Sequence, residues 1–177
     1  MRDSRGFTLV EVLLVLVILG ILLTISMANY RHARLRGAET SAIGALSAIN
    51  QAQFAYMQTC GNQKFAPHLT TLGKSHPGTA APFLSPDLAA ADEVIKSGYR
   101  IAMEGAEVAE PLLTCTGDTP LEGYHIIADP VTPGVTGNRF FATNVTLVIY
   151  ENRESFNGKM PDTGAPNLGQ EVKAVAR

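Results

Sequence analysis

The 177-residue chain has few charged side chains, no tryptophan and only two cysteines. Lysine, arginine, aspartate and glutamate make up 17% of the residues, and the net charge of −2 gives no general support for nucleic-acid binding. Cys60 and Cys115 are too few for a disulfide framework and too far apart for a CxxC metal or redox motif. The four histidines lack HExxH spacing, and no acidic calcium loop or glycine-rich phosphate loop is present. We therefore predict that the chain is not an enzyme and carries no cofactor or metal.

One long segment, Phe7–Met27, is almost wholly apolar, and Glu11 is its single charged residue. A secretory signal has a shorter apolar stretch followed by a small-residue cleavage site, and no such site follows here. About 21 helical residues at ~1.5 Å each would span the roughly 30 Å of a bilayer's hydrocarbon core. The segment therefore predicts a membrane helix that is retained in the precursor.

Glu11 is the exception within this apolar segment. An ionised carboxylate inside a membrane costs on the order of 3 kcal/mol. Glu11 lies only one turn inside, so it could reach the headgroups; alternatively, it is held for a partner cation. The second interpretation makes Glu11 a candidate functional residue.

The N-terminus as a whole resembles the type III signal of type IV prepilins and the related pseudopilins. The resemblance rests on a short basic leader, the sequence Gly6-Phe7-Thr8-Leu9-Val10-Glu11, and the long apolar helix that follows. It implies that a prepilin peptidase removes residues 1–6 by cutting between Gly6 and Phe7, and then methylates the Phe7 amine. It also implies that Glu11 pairs with the Phe7 amine of a neighbouring subunit in a homopolymer. Such a pair fixes axial register, because half of it is costly to leave in an apolar core.

Two features depart from a simple version of this pattern. The family usually has a proline near the end of the apolar segment, where this chain has Ala28, so Gly20 becomes the expected weak point of the helix. Arginines also flank the segment on both sides, so charge does not orient it. The expected orientation, with the leader in the cytoplasm and the head outside, comes from the resemblance.

The helix is expected to continue through an amphipathic half, residues 28–58, and to stop at Thr59–Asn62. Two apolar stripes run along this half: Leu35, Ala38, Ala42, Ala45, Ile49, Ala52 and Tyr56, and beside them Ile43, Leu46, Phe54 and Met57. Together they cover roughly 200° of the surface, twice the ~100° that one packed sheet requires. The excess predicts a second partner, the helices of neighbouring subunits; the alternative is a helix embedded deeply in its own domain.

A basic stretch, residues 29–36, begins this half. One interpretation is contact with nucleic-acid or lipid phosphate. We favour headgroup anchoring, with Tyr30 at the interface, followed by intersubunit ion pairs with residues such as Glu39. Nucleic acid is therefore not among the expected partners.

The strand-like segments of the head predict an α+β fold, with the long helix packed on a roughly four-stranded antiparallel sheet. This arrangement is the type IV pilin fold that the resemblance implies. A connecting region, 59–97, contains an expected short helix at Ser85–Ala91, with Ser85 as its N-cap and Pro86 at its first helical position. The sheet region is 98–151 and the tail, 152–177, looks loop-like. The expected strands are Tyr99–Glu104, Tyr124–Ala128, Arg139–Thr143 and Thr146–Tyr150, with a tight hairpin at Asn144-Val145.

If the head lies outside the cytoplasm, Cys60 and Cys115 are expected to form one disulfide. The loop of about 55 residues would make that bond worth on the order of 4 kcal/mol. The alternative is two buried free thiols.

These features favour a structural subunit of a type IV pilus, placed in the bacterial inner membrane as a precursor and then in an extracellular filament. Its partners would be other copies, the prepilin peptidase, membrane lipid and the inner-membrane assembly platform; motility, adhesion and DNA uptake remain open as roles. A pseudopilin of type II secretion is the alternative, although the calcium loop expected of major pseudopilins is not visible. A membrane-anchored binding protein or enzyme is the third hypothesis, and the mature N-terminus would distinguish it.

Overall fold

The computed structural model describes residues 7–76, 79–109 and 114–172, with side chains for all of these except 25–29, 76, 79 and 80. Its first element, α1, is a helix of 51 residues, Leu9–Thr59, about 75 Å long. Thr8 caps the helix: its backbone is extended and its Oγ1 accepts a hydrogen bond from the Glu11 amide at 3.3 Å. The sequence predicts a helix from about residue 8 to residue 58, and the observed bounds agree with it to within one residue at each end.

The helix ends where Cys60 and Gly61 both donate their amides to the carbonyl oxygen of Tyr56. Asn62 and Gln63 then take left-handed backbone conformations, with φ of 52° and 67°. Asn tolerates this conformation better than most residues, which explains why the chain turns back at this point.

The connecting region contains a one-turn helix, α2 (Leu69–Leu72), and a two-stranded hairpin, β1 (Ser75–His76) and β2 (Thr79–Pro82). The helix predicted over Ser85–Ala91 is wrong. The amides of Leu88 and Ala89 both donate to the Ser85 carbonyl oxygen, and the chain then continues in turns and bends. A segment this short does not sustain a helix by itself. The turns that replace the predicted helix are enough to bury Leu84 and Leu88.

A six-stranded antiparallel sheet follows, with its strands adjacent in chain order. The strands are β3 (Glu93–Lys96), β4 (Tyr99–Glu104), β5 (His125–Pro130), β6 (Phe140–Asn144), β7 (Ile149–Asn152) and β8 (Gln170–Glu171). The predicted α+β class and antiparallel meander are confirmed. The two edge strands are additions, since residues 93–96 were assigned to the connecting region and residues 170–171 to the tail.

The fourth predicted strand begins three residues later than expected, at Ile149 instead of Thr146. The Asn144 side-chain oxygen accepts bonds from the amide and the hydroxyl of Thr146, at 3.0 and 2.7 Å. Leu147 has a φ of 64°. This local turn occupies the residues that would otherwise extend the strand.

The sheet carries a core on each of its faces. Tyr99, Ile101, Ile126 and Phe141 lie with the buried residues of α1 in the larger core. On the other face, Ala142 and Tyr150 pack with Phe156 and Met160 of the C-terminal segment. Within its described residues, up to 172, the tail predicted to be loop-like has no helix, but residues 153–169 cover the sheet and form its second core.

Candidate assembly site

The N-terminal end of α1 holds the predicted processing and assembly residues. Gly6 and the leader, residues 1–6, lie outside the described residues, whereas Phe7 is described and is 81% exposed. Glu11 lies in the first turn of the helix and is exposed. A carboxylate is favourable there because the unpaired backbone amides make this end of a helix partly positive.

The Glu11 carboxylate forms no ion pair with any other described residue. The Thr8 cap uses the backbone amide of Glu11 and leaves its side chain unengaged. The carboxylate can therefore accept a cation or hydrogen-bond donors from another molecule without disturbing the helix end.

An apolar arm, residues 7–24, follows from this end. Its large apolar side chains are 47% to 81% exposed, and the first buried side chain described on α1 is that of Glu39. Apolar surface of this extent is unfavourable in water, so the arm requires a covering partner. Over the described part of the chain, no helical segment meets the combined length and apolarity required to cross a membrane.

The backbone of α1 is helical through both Gly20 and Ala28. The side chain of Ala28 is outside the described ones. A Cβ added to Gly20 would meet no atom within 4 Å, so the glycine is not required by packing in the single chain.

An ion-pair network joins α1 to the sheet where the arm meets the head. Glu39 is 6% exposed and accepts bonds from the Asn138 amide at 3.1 Å and from Arg139 Nε and Nη2 at 2.9 and 2.8 Å. Arg139 Nη1 also contacts Glu151 at 2.5 Å. Burial alone would lower the pKa of Arg139, but the two carboxylates outweigh it and raise that pKa.

This network occupies the acid that was expected to pair with a neighbouring subunit. Glu39 is satisfied within its own chain, so the predicted intersubunit role of Glu39 is not supported by its position. The sequence could not show this, because Glu39 and Arg139 are separated by 100 residues.

Two polar side chains on the buried face of α1 fix the helix on the sheet. Asn50 donates to Thr143 Oγ1 at 2.8 Å and accepts from the Tyr124 hydroxyl at 3.0 Å. Gln53 exchanges two bonds with the backbone of Ala66, at 2.9 and 2.8 Å. A one-residue shift of the helix would break both sets, so they define its register on the head.

The second apolar stripe of α1 divides in the structure. Leu46 is fully buried in the chain's own core, while Phe54 is 46% exposed. Phe54 lines an open groove of about 220 Å³ with Leu147, Ile149 and three polar residues of α1. The part of the stripe left uncovered is therefore smaller than the sequence indicated.

A disulfide joins Cys60 to Cys115, with their Cα atoms 5.0 Å apart. The Cys115 amide also donates to the Cys60 carbonyl oxygen at 3.2 Å. Together these bonds hold the segment that starts at residue 114 against the end of α1.

The outer face of the sheet has a cavity of about 370 Å³ beside the C-terminal segment, lined by Arg100, His125 and Asp129 among others. Asp129 Oδ2 accepts a bond from the Ser155 hydroxyl, while Oδ1 is buried and has no hydrogen-bond partner in the described part of the chain. Burial raises the pKa of Asp129. Among the described residues, no group of three or more histidine, cysteine or acidic side chains could hold a metal ion.

The role of Asn50 and Gln53 in fixing the helix register was not predicted from the sequence. The available signal was a polar residue directly beside Ile49 and Ala52 of the buried stripe. Arg139 gave no comparable signal, because charged residues are common at strand ends.

Residues 1–27 match the family described as the prokaryotic N-terminal methylation motif. This is the type IV prepilin-like signal, a feature of structural pilin-like proteins, and it supports a type IV pilin-like or pseudopilin-like protein. No curated protein and no solved structure matches the chain.

Proposed function

We propose that the chain is the structural subunit of a type IV pilus. It is made as an inner-membrane precursor, cut between Gly6 and Phe7, methylated on the Phe7 amine, and polymerised through α1. The methylation motif and the exposed apolar arm support this proposal together. The motif accounts for the processing, and polymerisation gives the arm the apolar partners that a single chain does not provide.

The proposal divides the chain into three functional segments. Residues 1–6 are a leader for the prepilin peptidase, residues 7–27 are first a membrane anchor and later filament core, and residues 28–177 form the head. The network at Glu39 lies at the junction and makes the head rigid with respect to the helix that carries it. Such rigidity suits a subunit whose head position in a filament is set by its arm.

Glu11 is the proposed assembly residue. In the filament its carboxylate would meet the methylated Phe7 amine of a neighbouring copy, and the low dielectric of packed arms would strengthen that pair. The carboxylate is exposed in the first helical turn and forms no ion pair with another described residue, which supports this role. A subunit in the wrong axial register would bury the charge without a partner, which is strongly unfavourable.

The proposed location of the head is outside the cytoplasm. The Cys60–Cys115 disulfide supports it, since disulfides persist in oxidising compartments and are rare in the cytoplasm. The leader would stay on the cytoplasmic side with the peptidase, and the assembly platform of the inner membrane would extract the processed subunit into the extracellular filament.

The test is complementation of a deletion strain with the Glu11→Ala variant. We expect this variant to remain in the membrane fraction but to form few or no surface fibres in electron micrographs. Glu104→Ala is the matched control, because Glu104 is an acid on the head whose side chain is 74% exposed. Normal fibres from Glu11→Ala, or equal loss of fibres from both variants, would contradict the proposed role of Glu11.

The same strain separates the alternative, a pseudopilin of a type II secretion system. A pilus subunit is expected to be required for long surface fibres, and a pseudopilin for release of secreted proteins into the medium. Loss of secretion with unchanged surface fibres would favour the pseudopilin.

A further inference from the structure

Three arginines lie close together at the start of the head's helix. Arg31, Arg34 and Arg36 are exposed, and none of them forms an ion pair with another described residue. Almost every other described lysine and arginine has such a pair, for example Lys64 with Glu122 at 2.6 Å. Glu39, the nearest acid on the helix, is already occupied by Arg139. This arginine belt therefore has charge available for a partner outside the chain.

The belt lies at one level of the helix and surrounds it. At 100° per residue, Arg31 and Arg34 are about 60° apart around the axis, and Arg36 is about 160° from Arg34. No half of the helix circumference lacks an arginine. A partner that surrounds the helix matches this arrangement better than one that docks on a single face.

The position of the belt along the axis fits a membrane surface. From Leu9 to Arg31 the helix rises about 33 Å, slightly more than the roughly 30 Å of hydrocarbon in a bilayer. The belt itself is about 7.5 Å long, which is close to the roughly 5–8 Å of one headgroup layer. Tyr30, 69% exposed, lies at the same level and suits the membrane interface.

The side chains of the belt indicate which class of lipid headgroup it would bind. A guanidinium offers a planar pair of N–H donors that matches two phosphate oxygens, and all three basic residues are arginine. A net positive belt has no reason to prefer zwitterionic headgroups, in which the phosphate charge is already balanced. We propose that the arginine belt binds the phosphates of anionic phospholipids in the leaflet on the head's side of the membrane. This inference rests on the proposed function, because the arm has to occupy the bilayer.

The test uses the full chain in phosphatidylcholine vesicles that contain a dansyl-labelled lipid. Because the chain has no tryptophan, the Tyr30→Trp variant supplies a single fluorescence donor at the level of the belt. We expect energy transfer to dansyl-phosphatidylglycerol to exceed transfer to dansyl-phosphatidylcholine, with a selectivity of roughly fivefold that declines as salt is added. Adding Arg31→Gln, Arg34→Gln and Arg36→Gln is expected to reduce the selectivity to about one.

Arg100→Gln is the matched control, since Arg100 is an exposed arginine on the head that pairs with Glu93 at 3.3 Å. It is expected to leave the selectivity unchanged. Equal transfer to both lipids, or selectivity retained by the triple variant, would overturn the inference. Equal transfer together with loss of fibres in the triple variant would overturn it in favour of acidic groups on a second copy.

Alkaline extraction of the same vesicles distinguishes failure of the lipid inference from failure of the proposed function. A protein that resists extraction but shows no lipid selectivity refutes the belt and leaves the proposed function intact. A protein that is extracted from the vesicles refutes the membrane step of the proposed function, and the lipid inference with it.

Discussion

The replacement of Arg139 by methionine tests how the head is fixed to its helix. Among the described residues, Arg139 is the single cation paired with both Glu39, whose side chain is 8% exposed, and Glu151, whose side chain is 16% exposed. Methionine keeps much of the side-chain volume but removes all three charge-assisted bonds. Glu39 would keep the Asn138 amide as a donor and would lose its counter-charge.

The expected cost follows from the burial of the two carboxylates. Removal of one partner from a fully buried ion pair costs about 3–5 kcal/mol. Arg139 is itself 41% exposed, so water can reach part of the site and a smaller cost, about 2–3 kcal/mol, is expected. At about 2–4 °C per kcal/mol for a chain of this size, the Tm is expected to fall by roughly 4–12 °C.

The assay is near-UV circular dichroism of the full chain in mild detergent, where the buried Tyr56, Tyr99 and Tyr124 report tertiary packing. The control is Arg153→Met, because Arg153 is exposed and makes no ion pair with a described residue. The additional change Glu39→Gln is expected to recover part of the loss, since it removes the unpaired charge. A Tm for Arg139→Met equal to that of the control would refute the argument.

Three further predictions concern the head. Burial raises the pKa of Asp129, so the folded state binds its proton more tightly and stability falls as the pH rises through that folded pKa. Thermal melts of Asp129→Asn are therefore expected to give a higher Tm than those of the parent at pH 7, with a difference that shrinks toward pH 3. A difference that stays constant with pH would contradict this cause. Opening the disulfide with Cys60→Ser and Cys115→Ser is expected to cost about 4 kcal/mol in urea unfolding, and an unchanged midpoint would show that the loop contributes nothing. Phe156→Ala removes the centre of the second core and is expected to cost about 3–5 kcal/mol; limited proteolysis should then cut residues 153–169 first, whereas protection equal to the parent's would show that the segment is held by other contacts.

The sequence was most informative where structure depends on local patterns. The extent of α1 could be predicted because its apolar residues recur at helical spacing, and because Gly61 and Asn62 mark its C-terminal end; Thr8 was not recognised as its N-cap. The alternation of Tyr99, Ile101 and Met103 likewise identified β4, whose buried and exposed residues alternate as expected.

It was least informative where a residue's role depends on distant parts of the chain. Glu93–Lys96 has charged ends and became a strand because it pairs with β4 across the turn at Ser97 and Gly98. Gln170 and Glu171 are both exposed, and they pair with Glu151 and Tyr150 at the end of a segment that packs on the sheet through Phe156. Neither strand has a hydrophobic pattern that could be recognised before the fold is known.

The same distinction applies to the candidate site. The proposed processing residues, Gly6 and Phe7, were predicted from a contiguous motif, Gly6 to Glu11, which requires no knowledge of the head and lies within the matched residues 1–27. The partner of Glu39 could not be predicted, because the sheet had to be placed before Arg139 could reach it. The arginine belt combines both situations. Its charge could be predicted from the sequence, whereas its lack of ion pairs with other described residues could be seen only in the structure.

The central claim, that the chain is processed and polymerised as a pilin, is tested most directly by mass spectrometry of the subunit in purified surface fibres. The account predicts that the subunit begins with N-methyl-Phe7 and contains the rest of the chain with one disulfide. A subunit that retains Met1, or that begins at any residue other than a methylated Phe7, would contradict it.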